Sequence, residues 1–155
     1  MKMVIQRVSR AEVRVGGTVV GAIGRGLVVL AGFGRDDTEV QVERAALRLS
    51  TLRVFEDEDG KMNRGLDEVG GAVLAVSQFT LAASIHKGRR PGFDRAMPGA
   101  QAEPLFDLLI RRLEELGVEV QTGVFGALME VELVNDGPVT LIWEDQAPTQ
   151  LKVES

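Results

Sequence analysis

The feature that most constrains this chain is the strand pattern at its start. From Met3 to Val15 the residues alternate, with Val4, Gln6 and Val8 set against Ile5 and Arg7, and Val13 and Val15 following. A period of two belongs to a pleated strand and not to a helix. Gly16-Gly17 supplies a hairpin turn, and Val19 to Ile23 returns. Next, Gly26 leads into Leu27-Val28-Val29-Leu30-Ala31-Gly32-Phe33, a strand apolar on both faces.

Two segments carry the helical period. Asp36-Asp37-Thr38 starts the first, with acids at its positive end, and Val42, Ala45, Ala46, Leu49 and Leu52 form its stripe. The second runs from Gln101 to Leu116 on Leu105, Leu108, Leu109, Leu113 and Leu116, and Gly117 ends it. Strands are expected at Leu52–Phe55, Ala72–Ser77, Val118–Thr122, Leu128–Val134 and Val139–Trp143, with a turn at Asn135-Asp136-Gly137. Residues 82–100 show no period, as in a long functional loop. The expected fold is α+β: a curved, mostly antiparallel β-sheet or barrel-like domain covered by two main helices. Residues 1–155 are read as one domain, with a polar tail from about 145. Met3 and Phe33 are candidates for an apolar surface facing a partner subunit.

Charge and composition exclude several classes. With 23 acidic and 18 basic residues the net charge is −5, which argues against a grip on long nucleic acid, DNA included. A protein that touches only the end of an RNA needs a local patch, and Lys87, Arg89 and Arg90 beside His86 form the densest basic run. The chain has no cysteine, so disulfides, thiolate catalysis and cysteine-bound metals are out, which suits a cytoplasmic setting. No signal-peptide pattern is evident, and no apolar run reaches the ~18 residues that span a bilayer, so no membrane partner is expected. His86 is the single histidine, so a serine triad or a zinc site would have to use it. No phosphate loop or dinucleotide fingerprint is present, and neither cofactor nor metal is expected. Glu114-Glu115 and the Glu130/Glu132 pair read as solvated faces.

Two short segments remain. In Ser77-Gln78-Phe79-Thr80-Leu81, strand geometry would put Ser77 with Phe79 on one face and Gln78 with Thr80 on the other. Hydroxyls beside backbone amides can position a carbonyl or a water, but Thr80 has no base to activate it. In Asn135-Asp136-Gly137-Pro138-Val139-Thr140, proline fixes its own φ and glycine permits close approach to the main chain. Such a dipeptide can present bare backbone to the α-carbon of a small substrate, though it also serves as a plain turn. An RNA-binding β domain without catalysis and a generic ester hydrolase are the competing classes.

Taken together, the segments at 77–81 and 135–140 closely resemble the D-aminoacyl-tRNA deacylase family. The likeness extends through residues 1–13, 52–63, 87–93 and 122–140. The resemblance implies an enzyme that hydrolyses the ester joining a D-amino acid to the terminal adenosine of tRNA, as proofreading in translation. It implies a homodimer with active sites at or near the interface, and a cis Gly137-Pro138 bond reaching into the partner's site. That dipeptide would reject L-amino acids at the α-carbon yet pass glycine, so glycine mischarged on alanine tRNA would also be cleared. Ser77, Gln78 and Thr80 would orient the aminoacyl group, largely through main-chain atoms, with the substrate's 2′-hydroxyl assisting. Phe79 would pack beneath the site, Phe125 and Met129 would line its adenosine side, and Arg7 would support the Gly-Pro loop. Lys87, Arg89 and Arg90 would contact the acceptor end of tRNA. This chain departs from the family at Ala82-Ala83-Ser84, where many relatives carry an aromatic and an acid, and at Gly92, where a serine is usual.

Overall fold

The computed structural model describes residues 1–147, so of the tail expected from about 145, residues 148–155 lie outside the described residues. Strand β1 (Lys2–Val15) turns through Gly16 and Gly17 into β2 (Thr18–Ile23), and the chain resumes as β3 (Gly26–Gly32). β2 pairs with residues 11–15 of β1 and β3 with residues 2–8, both antiparallel. Helix α1 (Glu39–Thr51) starts at Thr38, whose hydroxyl accepts from the Val40 amide while the Gln41 side chain accepts from the Thr38 amide. This reciprocal cap satisfies two donors that the first turn leaves free. Asp37 does not cap the helix: its carboxylate accepts from the Gly34 amide and pairs with the Met1 amine.

Leu52 closes α1, so the strand expected at 52–55 shrinks to β4 (Phe55–Glu56), paired with β5 (Met62–Arg64). A single turn, α2 (Leu66–Val69), precedes β6 (Ala72–Ser77) and is too short to show a period in sequence. Helix α3 (Gly99–Glu115), β7 (Glu119–Thr122) and β8 (Glu130–Glu144) complete the chain. The main sheet runs β2-β1-β3-β6-β7, with β8 on the other edge of β1. β1 is antiparallel to its three partners, whereas β3–β6 and β6–β7 are parallel. The parallel pairs are the two places where a long helix, α1 or α3, returns the chain to the same end of the sheet. The sheet curls until β2 meets β7, where a Cβ on Gly21 would run into the Thr122 carbonyl oxygen. The result is the curved, mostly antiparallel, nearly closed sheet that the patterning predicts.

Alternate residues of the sheet serve two cores. Met3, Ile5, Leu27, Val29, Ala31, Val73 and Ala75 face the helices and pack on Val42, Ala45, Leu49, Leu109 and Leu113. Val8, Val13, Val28, Leu74 and Val76 fill the inside of the curl. This is why β3 is apolar on both faces. Met3 and Phe33 belong to the helix-side core, so neither can face a partner as expected.

The largest correction concerns Asn135-Asp136-Gly137. It does not turn the chain between two strands, because both flanks pair with β1 in the same direction. Gln6 pairs with Thr140 and Val8 with Asn135, so one residue of β1 faces four residues of β8. The segment 136–139 is an enlarged bulge within one strand, of the kind that re-aims a chain locally.

Candidate active site

Arg7 is the β1 residue opposite this bulge, and it is buried. Its Nε donates to the Asp136 carbonyl at 2.8 Å and its Nη1 to the Val54 carbonyl at 2.7 Å. Asn135 clamps the bulge from inside: its Oδ1 accepts from the Val139 amide at 2.7 Å and its Nδ2 donates to Thr140 Oγ1 at 3.0 Å. Within this frame the Gly137-Pro138 peptide is cis, and Gly137 has φ +139°. Asn135 is a site residue that sequence reasoning missed, because an Asn before Asp-Gly carries the signal of an ordinary turn.

A second region gathers most of the other expected residues. Ser77, Gln78, Phe79, Phe125 and Met129 line one cleft of about 460 Å³ at the C-terminal ends of β3 and β6. Gly32, Phe33, Met97, Gly99 and Ala102 also line it; of these the sequence singled out Phe33 alone, as a partner-facing residue and not as part of a site. β6 ends at Ser77 and a 3₁₀ turn follows over Phe79–Ala82, so the strand alternation expected through Thr80 does not apply. The Gln78 amide still donates to the Ala31 carbonyl at 2.7 Å, which pins the turn to β3. Phe125 is held against Phe106 of α3, with ring centroids 6.1 Å apart.

The remaining expected residues are placed differently. Thr80 is outside the cleft lining, and its Oγ1 accepts from Gln78 Nε2. Phe79 is not packed beneath the cleft: it lies on the rim, 58% exposed, against Phe93. Lys87, Arg89 and Arg90 are exposed and lie outside the cleft. Gly137-Pro138 is far from Ser77 of its own chain. Arg7 pairs with Leu27 at one end of β3, Ser77 pairs with Ala31 at the other, and β1 and β3 lie between.

Among the described residues, none lining the cleft is a histidine, aspartate or glutamate. His86 lines a separate cavity of about 500 Å³ with Asp36, Asp94 and Arg95, so it forms no triad with Ser77. Glu132 is tied to Arg14 and Arg10; the Arg14 hydrogen bond leads in holding its carboxyl below the usual range. It serves β1–β8 pairing across the strands.

The sequence model of the D-Tyr-tRNA(Tyr) deacylase family matches residues 4–144, spanning the cleft and the bulge together. The chain belongs to this family. The D-aminoacyl-tRNA deacylase of Symbiobacterium thermophilum is 58% identical over 146 residues, covering 94% of this chain and 97% of that one. The D-aminoacyl-tRNA deacylase of Thermus aquaticus is also 58% identical, covering 92% and 93%. Among solved structures, one titled c-Myc DNA Unwinding Element Binding Protein superposes with a TM-score of 0.88 at 42% identity, covering 95% of this chain and 100% of that one. A probable eukaryotic D-amino acid tRNA deacylase has the same fold, with a TM-score of 0.78 at 19% identity over 92% and 97% of the two chains. The deacylase is thus a hydrolase acting on D-aminoacyl-tRNA, an RNA-binding enzyme of translational proofreading.

Proposed function

We propose that ester hydrolysis takes place in the cleft lined by Ser77, Gln78 and Phe79, with Gly137-Pro138 of a second copy as its chiral filter. The observation that carries this reading is the make-up of the cleft, which offers backbone and apolar surface but no general base. An aminoacyl ester is already reactive, so fixing its carbonyl among preorganised donors can supply much of the rate. The amides of Phe79 and Thr80 begin the 3₁₀ turn, and neither donates to a described residue. They are the donors for the developing oxyanion, and the substrate's own 2′-hydroxyl assists the water. Phe125 and Met129 take the adenosine side, and Lys87, Arg89 and Arg90 the acceptor end.

The filter needs the second copy because Gly137 and Ser77 of one chain stand at opposite ends of β3. A homodimer is supported by the outer edge of β8, where Leu141 and Ile142 are exposed and no strand pairs among the described residues. Bare backbone at the α-carbon excludes the side chain of an L residue, accepts a D residue with its side chain turned away, and passes glycine. Glycine mischarged on alanine tRNA is therefore a second substrate. The cytoplasm, where charged tRNA is used, is the working compartment.

The deciding experiment compares deacylation of D-Tyr-tRNA, L-Tyr-tRNA and Gly-tRNA(Ala). Rapid loss of the D and glycyl esters with the L ester spared is expected. Equal loss of D and L esters would remove the filter, and loss of neither would remove the enzyme.

A further inference from the structure

The rim of the cleft carries an aromatic pair whose rings the proposed chemistry does not use. Phe79 and Phe93 meet with ring centroids 5.3 Å apart and planes tilted by 53°. Phe93 is 40% exposed, and Ile85 beside the same loop is more exposed still. Single exposed hydrophobic residues are ordinary, whereas exposed apolar side chains that adjoin one another are the form a contact surface takes.

The loop that delivers Phe93 is held in shape. Ser84 and Gly92 exchange two backbone hydrogen bonds, each 2.8 Å, so residues 85–91 form a closed excursion and Phe93 follows at its base. This excursion carries His86, Lys87, Arg89 and Arg90, with no acid from Ser84 through Phe93. None of its three permanent cations has a carboxylate partner among the described residues, whereas Arg10, Arg14, Arg44, Arg64 and Arg112 are all paired. Unpaired cations beside exposed aromatic rings are the two elements of a surface for single-stranded nucleic acid: charge follows the backbone and rings accept bases.

We propose that Phe93, with Phe79, is a stacking platform for the unpaired nucleotides that precede the terminal adenosine of tRNA. This rests on placing that adenosine in the adjoining cleft. Phe79 belongs to both surfaces, since it lines the cleft and touches Phe93. A strand leaving the cleft past Phe79 therefore meets Phe93 next and the basic excursion after it. Phe93 is a positioning residue. It holds the approaching strand and touches no reacting atom.

The test uses two substrates, D-Tyr-tRNA and the D-tyrosyl ester of adenosine alone, which is too short to reach Phe93. Phe93→Ala should raise KM for D-Tyr-tRNA about tenfold, within the range of one lost base–ring stack, with kcat nearly unchanged. It should leave hydrolysis of the adenosine ester at the wild-type rate, and Phe93→Trp should restore KM for tRNA. Equal impairment on both substrates would overturn the proposal by making Phe93 a support of the cleft. An unchanged KM for tRNA would overturn it directly, and so would a change in oligomeric state, which would assign the pair to a subunit interface. Failure of the deacylase reading itself looks different: the wild-type protein would then hydrolyse neither ester.

Discussion

Replacing Gly137 with alanine tests the bulge most sharply. The backbone there has φ +139°, which L side chains rarely adopt. An added Cβ would also stand 2.9 Å from Val139 Cγ2, 3.1 Å from the Val139 amide nitrogen and 3.1 Å from an Arg7 guanidinium nitrogen. The Val139 side chain can shift, but the amide cannot without breaking its hydrogen bond to Asn135. Backbone strain of this kind costs about 1–3 kcal/mol, so the melting temperature of a chain this size should fall by roughly 2–12 °C. Gly117→Ala separates strain from contact, because Gly117 has φ +84° with nothing within 4 Å of the added carbon. That control should lose stability and keep its activity. Gly137→Ala should lose stability and also lose rate on D-Tyr-tRNA, without gaining any on L-Tyr-tRNA. Circular dichroism melts and matched D and L assays at the same protein concentration read both effects. A folded Gly137→Ala variant with wild-type melting temperature, full D activity and intact L rejection would refute the contact and the strain together.

Three further outcomes follow from the geometry. Arg7→Met strands the Val54 and Asp136 carbonyls and should cost about 2–4 kcal/mol in denaturant unfolding, with Arg7→Lys recovering part of it. Thr80→Ala should reduce single-turnover rates only modestly, because the hydroxyl is bonded to Gln78 and outside the cleft; trapping an acyl-Thr80 species would overturn this. Replacing Lys87, Arg89 and Arg90 together with alanine should raise KM for tRNA and flatten its salt dependence by about two to three in log–log slope, leaving saturated kcat nearly intact.

Much of the scaffold was legible because its signals are local. The Gly16-Gly17 hairpin, the two-faced apolar β3, the Thr38 start of α1 and the leucine stripe of α3 each follow from a few neighbouring residues. The parallel pairing of β3 with β6 and of β6 with β7 depends on where α1 and α3 return the chain, and no residue of those strands announces it. The candidate site divides the same way. Ser77, Gln78, Gly137 and Pro138 were named because their two segments together resemble the family's motifs; each segment alone reads equally as a strand end or a turn. Their surroundings came from contacts distant in sequence.

Gly137-Pro138 shows the boundary most clearly. Its composition alone determined a stiff, side-chain-poor backbone step, since glycine lacks Cβ and proline lacks an amide hydrogen. A turn and a bulge draw on the same residues, so composition could not choose between them. The choice fell to β1, which pairs with both flanks of the segment and places buried Arg7 against the Asp136 carbonyl. Phe79 is a parallel case. The strand period put it on one face with Ser77, but β6 ends at Ser77 and the 3₁₀ turn swings Phe79 out to the rim beside Phe93. In both cases the sequence set which conformations were cheap, and long-range pairing selected one of them, because register energies are shared among strands that no local window contains.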